Sequence, residues 1–280
     1  MKLYKTLEDL KKVLMPYDVK NKCIGLVPTM GFLHKGHTSL IEKAAKENDM
    51  VVVSIFVNPT QFGPNEDYEK YPRDIKRDYE LATQAGADII FTPEVNQMYD
   101  HPKTTIQVKE LTNKLCGLSR PGHFDGVTTV VAKLFNGVKP HKAYFGQKDA
   151  QQLIVIQKMV KDLNYDIEII GCPIVRESDG LALSSRNVYL STEERKQATI
   201  LYKSLITIKD KIVNGERDAK SLKEEITRMI KSQPLAKIDY VALVDVYALE
   251  NVEQIKDKVL IALAVKFGDT RLIDNIVVEV

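Results

Sequence analysis

From Cys23 to Ile170 the chain alternates short apolar runs with stretches of helical period, and this leaves few folds open to it. Cys23–Val27, Asp88–Phe91, Ala143–Phe145 and Ile167–Ile170 read as strands. Met50–Val57 is almost wholly apolar, as expected of a strand covered on both faces of a parallel sheet. Thr38–Glu47, Asp74–Ala85, Val127–Val138 and Ala150–Leu163 read as helices, with Gly86 closing the second. Strand and helix in turn predict an α/β fold with a doubly wound, Rossmann-like parallel sheet. Such sheets bind ligands at the carboxyl ends of their strands, and the polar residues here gather in the loops leaving those ends.

The pattern changes after about Val175. Ser191-Thr192-Glu193-Glu194 is a capping box opening a helix to about Asp210, and a second helix covers Ala219–Ser232. Three β-rich runs follow, Ile238–Asp245, Val259–Lys266 and Arg271–Val278. Consecutive strands without long helices between them predict a small antiparallel sheet. The expected division is a Rossmann-like domain over residues 1–175 and a smaller C-terminal α+β domain over 176–280, joined near Cys172–Glu177.

Bulk properties narrow the function classes. A content of 44% hydrophobic and 28% charged residues argues against disorder. A net charge of +2 gives no case for binding nucleic acid. The longest apolar runs are too short for a membrane helix, and Met1–Lys5 lacks the apolar core of a signal peptide. Cys23, Cys116 and Cys172 are odd in number and far apart, as expected of reduced core thiols in a cytoplasmic protein.

Five segments carry candidate chemistry. Pro28-Thr29-Met30-Gly31-Phe32-Leu33-His34-Lys35-Gly36-His37 reads as strand, turn and helix start. A helix N-terminus attracts anions through free N–H groups and its dipole, and His34 and His37 add donors at the same point. A zinc reading of the histidine pair is weaker, because no Cys or acid stands nearby to complete the shell. In the loop after Met50–Val57, Asn58 and Gln61 are uncharged hydrogen-bonding groups placed where such a sheet binds its ligand. Arg120, in Ser119–Gly126, suits either an anionic ligand or a structural salt bridge. Phe145–Gln152 joins a glycine, Lys148 and a helix start into a phosphate seat. There Asp149 suits a helix cap, and Gln152 lies in the first helical turn. Asp179–Asn187 offers Ser184, Ser185 and Arg186 as a mobile clamp on a polyphosphate.

Together these segments closely resemble the pantothenate synthetase (pantoate–β-alanine ligase) family of the nucleotidylyltransferase superfamily. The likeness runs through Pro28–His37, Phe56–Pro64 with Tyr71-Pro72-Arg73, Arg120–Asn136, Ala143–Gln152 and Val175–Leu190, and extends to Ala264–Asn275. The resemblance implies a homodimeric, ATP- and magnesium-dependent ligase joining pantoate to β-alanine through a pantoyl adenylate. The C-terminal domain would then serve as a lid. It implies ATP contacts at Met30, Gly31, Phe32, Leu33, His34, Lys35, Gly36 and His37. Further contacts would come from Gly146, Gln147, Lys148, Asp149, Val175, Leu183, Ser184, Ser185 and Arg186. His37 matches a proton donor, and His34 and Lys148 join it in the catalytic set. Gln61 and Gln152 match pantoate-binding glutamines, with Asn58 and Arg120 beside them. Magnesium ligands stay unassigned; Asp78 is the acid named for the role, and Arg77 stands where some members carry an acid. Two other readings are a nucleotidylyltransferase with another acceptor and a silent nucleotide-binding module. Gln61 and Gln152 disfavour the first, and the retained histidines, Lys148 and Ser184–Arg186 disfavour the second.

Overall fold

The computed structural model describes residues 1–19, 22–64 and 66–280. Its first part is a six-stranded sheet of β1 (Lys2–Tyr4), β2 (Ile24–Thr29), β3 (Met50–Ile55), β4 (Ile89–Phe91), β5 (Lys142–Gly146) and β6 (Glu168–Cys172). The strands run in the order β1-β4-β3-β2-β5-β6, and every pair is parallel. Helices α1 (Leu7–Val19), α2 (Lys35–Glu47) and α3 (Ile75–Gln84) connect the early strands. Two short helices, α4 (Val95–Met98) and α5 (Leu115–Ser119), precede the long α6 (His123–Val138) and α7 (Ala150–Asp162).

Strand periodicity explains the layering. β3 is buried at every residue. Its Met50 and Val52 point into an apolar cluster with Leu10 and Leu14 of α1 and the inner faces of α6 and α7. Its Val51, Val53 and Ile55 point the other way, against Leu40, Ile41 and Ala44 of α2 and Ala82 of α3. Fully burying one such aliphatic side chain stabilises by about 1.5–3 kcal/mol, so a central strand of this composition needs helices on both faces.

Three helices, α8 (Thr192–Ala198), α9 (Ile200–Val213) and α10 (Ala219–Lys231), lead into strands β7 (Ala236–Asp245), β8 (Lys258–Phe267) and β9 (Thr270–Glu279). These strands form the expected antiparallel sheet in the order β7-β8-β9. Val241, Leu243, Ile261 and Leu263 pack with α9 and α10 in a core of their own. The alternate residues Ala242, Val244, Leu260 and Ala262 join the cluster of the first sheet.

Element boundaries differ from the sequence reading in places. The helix expected from Ser191 to Asp210 divides at Thr199, whose hydroxyl returns to the Lys196 carbonyl at 2.9 Å. α6 begins at His123, four residues before its apolar run, after Gly122 takes φ +79°. β1 and α1 were not legible: β1 has three residues, and α1 carries Pro16. No helix among the described residues is long and apolar enough to cross a membrane.

Candidate active site

Strand order reverses between β2 and β5, where a doubly wound sheet opens a crevice at its carboxyl edge. The loops after β2, β3, β5 and β6 meet there. Leaving β2, the chain turns through Gly31 (φ +82°) and Phe32 (φ +48°) into α2. Asp78 of α3 holds this turn from behind, accepting from Phe32 N at 2.7 Å and Leu33 N at 2.6 Å. Burial lifts the Asp78 carboxyl above the usual range. With both oxygens engaged on backbone, it faces neither cavity of the site. Asp78 is a buttress of the turn, and the magnesium ligands stay unassigned.

His34 is the N-cap of α2 and His37 is its third residue. His34 Nδ1 accepts from Gly36 N at 3.1 Å, and His37 Nδ1 accepts from His34 N at 3.2 Å. A ring nitrogen that accepts carries no proton, so each neutral imidazole holds its proton on Nε2. Burial, reinforced by Lys148, pushes His34 down to about 4. Burial, with His34 and Lys148 as neighbours, takes His37 well below 6.5. The helix start therefore presents two uncharged N–H donors. Among the described residues, no three His, Cys, Asp or Glu side chains cluster as an ion site.

The histidines set a pH dependence. In the unfolded chain they take up protons near 6.5, whereas folded His34 does so only at about 4. Between those values the unfolded state binds more protons, so stability rises with pH. The melting temperature is expected to fall as pH drops from 6.5 towards 4, and His34→Gln should flatten that fall. An unchanged slope in His34→Gln would show that other groups carry it.

After β5, residues Gln147–Asp149 form a 3₁₀ turn into α7. The Lys148 side chain is one-fifth exposed, and its ammonium lies 3.9 Å from Asp149. Asp149 occupies the N-cap position of α7 without a side-chain cap bond, so the expected cap role is not filled. Gln152, in the first turn of α7, lines the crevice beside it.

After β3, Asn58 donates to the Gly126 carbonyl at 3.0 Å and to Gln61 Oε1 at 3.0 Å. Its own Oδ1 accepts from the Thr60 hydroxyl at 2.9 Å. These partners fix the Asn58 amide, which obliges Gln61 to turn Oε1 toward it and leaves its Nε2 out of that bond, on a residue that lines the crevice. Asn58 is fully buried and lines neither cavity, and its amide orients Gln61. Opposite the glutamines, Phe56, Val127, Val130, Val131 and Leu134 form an apolar wall.

The inner part of this crevice is about 220 Å³. It brings together His34, His37, Lys148, Gln61 and Gln152, and opens to an outer cleft of about 1730 Å³ against the small sheet. Uncharged donors and one lysine stand beside a pocket that is half amide and half aliphatic. A family model described as pantoate-beta-alanine ligase matches residues 2–277. The chain belongs to the pantoate–β-alanine ligase family. It is 59% identical to the pantothenate synthetase of Acetivibrio thermocellus and 56% identical to that of Enterococcus faecalis, covering 99–100% of each chain. The crystal structure of pantothenate synthetase from Thermus thermophilus superposes with a TM-score of 0.94 at 45% identity, over 99% of both chains. That of the Francisella tularensis ligase, complexed with beta-gamma ATP and beta-alanine, superposes with a TM-score of 0.80 at 37% identity, over 99% of this chain and 97% of that one.

In this member of the ligase family, the other expected site residues divide into two groups. Met30, Gly36, Gly146, Asp149, Val175, Leu183, Ser184, Ser185 and Arg186 line the crevice with the histidines. Gly31, Phe32, Leu33, Lys35 and Gln147 do not. Leu33 is fully buried and Lys35 points to solvent, while Gly31 and Phe32 shape the turn. The Ser185 hydroxyl donates to the Phe32 carbonyl at 3.3 Å, tying the far loop to that turn.

Two arginines have carboxylate partners that local sequence did not reveal. Arg120 forks onto Glu66, with Nε 2.7 Å from Oε1, and its NH2 reaches the Gln61 carbonyl at 3.1 Å. The salt bridge is one of its two readings, and the same side chain also lines the crevice, where the anionic-ligand reading would place it. Arg186 forks onto Asp67 at 2.8 Å on both arms. His123 completes the wall: its Nε2 lies 3.1 Å from Arg120 NH1, which can only donate, so Nδ1 carries the proton toward the Gln61 carbonyl at 2.8 Å. Burial, with Arg120 adjacent, lowers His123 to about 4. The adjacent acids Glu66-Asp67 were the available signal, yet nothing local pairs them with arginines 54 and 119 residues away.

Proposed function

We propose that the protein condenses pantoate with β-alanine at the expense of ATP through a pantoyl adenylate. A pantoate carboxylate oxygen attacks the α-phosphorus of ATP, and the bond to pyrophosphate breaks. The β-alanine amine then attacks the acyl carbon, loses a proton, and AMP leaves. The observation that carries this reading is the junction of two surfaces in one pocket. Neutral Nε2–H donors and Lys148 stand at a helix start, beside glutamine amides facing an aliphatic wall.

Each part has a physical role. His34, His37 and Lys148 meet the charge that builds on the transferring phosphate and on departing pyrophosphate. Burial holds the histidines below the usual imidazole range, so they meet these phosphates as neutral N–H groups, with His37 at the place of the proton donor that the family resemblance implies. The Gln61 and Gln152 amides hold the pantoate hydroxyl and carboxylate, and the valines cover its two methyl groups. Amides orient the carboxylate without a cation to quench its nucleophilicity. Asp149 is the acid in the crevice whose carboxylate makes no cap bond, and with phosphate oxygens and water it would hold a magnesium ion that would screen the phosphate charge. The small α+β unit lies across the outer cleft and serves as the lid that keeps water from the labile mixed anhydride.

Product analysis tests the reading. Purified protein with pantoate, β-alanine and Mg-ATP should form pantothenate with AMP and pyrophosphate in equal amounts. ADP and inorganic phosphate in their place would replace the adenylate with an acyl phosphate and overturn it.

A further inference from the structure

β9 is apolar along much of its length, yet its middle carries two buried polar residues, Asp274 at 2% exposure and Asn275 at 5%. Buried polar groups weaken a core unless every bond is made. Here the bonds run to the loops of the crevice. Asn275 Nδ2 donates to the Gln147 carbonyl at 3.0 Å and to the Lys148 carbonyl at 2.8 Å. Both amide hydrogens are thus used on consecutive carbonyls of the turn that carries Lys148.

Asp274 grips the opposite loop. Its Oδ2 and Oδ1 receive Arg176 NH1 and NH2 at 2.6 and 2.9 Å, and Oδ1 also accepts from Asn275 N at 2.8 Å. The same guanidinium donates to the Gly180 carbonyl at 3.1 Å and lies 4.3 Å over the Tyr202 ring. Arg176 bridges Ala182, and Leu183 N bonds to the Val175 carbonyl at 3.0 Å, so the clamped arginine sets the hairpin that ends in Leu183–Arg186.

Two neighbouring residues of the small sheet therefore hold, one each, the two backbone segments that face the crevice from β5 and β6. We propose that Asp274 and Asn275 are positioning residues that align Lys148 with Ser184–Arg186, so that the C-terminal unit fixes the geometry of the phosphate-binding surface. This rests on the reading of Lys148 as the cation facing the phosphates. Neither residue needs to touch a substrate. Their effect passes through the Gln147–Lys148 carbonyls and the Arg176 fork.

Asn275→Asp is the sharpest test, because it keeps shape and replaces the donor amide by an acceptor facing two carbonyls. Pyrophosphate exchange into ATP, pantoate affinity and melting temperature are measured for Asn275→Asp, Lys148→Ala and the double variant. Misalignment of about 1 Å lowers turnover by about a hundredfold, so Asn275→Asp should lose about ten- to a hundredfold in exchange kcat with pantoate affinity near native. In the Lys148→Ala background it should lose little more, since residues acting through one another are not additive. Native exchange in Asn275→Asp, or losses that multiply in full, would overturn the proposal while leaving the Lys148 reading intact. Native exchange in Lys148→Ala would overturn both. If Asn275→Asp does not fold, Asn275→Ala is measured against the same outcomes.

Discussion

Replacing Lys148 or His37 by alanine is expected to slow acyl adenylate formation by about a hundred- to a thousandfold with the fold intact, the loss typical of removing one preorganised donor. Both groups stand at the crevice by β2 and β5, and in the proposed reaction each would meet the extra charge that builds as pyrophosphate departs. An interaction made only in the transition state lowers kcat and kcat/KM together. The burial that keeps His37 neutral also fixes its Nε2–H by the bond from His34 N at 3.2 Å, so the donor needs no reorganisation. Pre-formed pantoyl adenylate bypasses the step. Given the adenylate and β-alanine, both variants should make pantothenate at a much larger fraction of the native rate. Equal losses in both half-reactions would mean that these residues serve general architecture.

A single methyl group at Gly126 is expected to disturb both stability and substrate use. A Cβ on Gly126 would stand 2.3 Å from the Thr60 carbonyl oxygen and 2.9 Å from Gln61 N. Both are backbone atoms, so no side chain can turn away, and α6 must move off the Asn58–Gln61 turn. That movement also stretches the 3.0 Å bond from Asn58 to the Gly126 carbonyl, which orients the Gln61 amide. Overpacking of this kind costs about 1–3 kcal/mol of stability. Displacing Gln61 by about 1 Å should lower kcat/KM for pantoate by about a hundredfold. Gly126→Ala is therefore expected to lose pantoate use more steeply than it loses melting temperature, with ATP affinity little changed. A variant with native pantoate kinetics would remove the Asn58–Gln61 turn from the substrate site.

Periodicity made the central architecture legible. Met50–Ile55 could be read as buried on both faces because each of its residues is apolar or small, and the capping box at Ser191 located a helix start to the residue. Both signals are local. The site was legible where its residues share a segment, as His34 and His37 do. It was not legible where partners meet through the fold. The bond from the Asn58 amide to the Gly126 carbonyl could not be read, because nothing nearby in sequence pairs the two. Asp78 looked available to an ion, although the turn at Phe32 and Leu33 uses both its oxygens. The pairing of Arg186 with Asp67, and of Asn275 with the Lys148 turn, spans 119 and 127 residues, beyond any pattern of helix or strand spacing.

Exchange of labelled pyrophosphate into ATP, run without β-alanine, tests the two-step chemistry most directly. If the carboxylate attacks ATP before the amine enters, the label should appear in ATP when pantoate and magnesium are present and should be absent when pantoate is left out. Exchange that requires β-alanine would contradict an adenylate formed ahead of the amine.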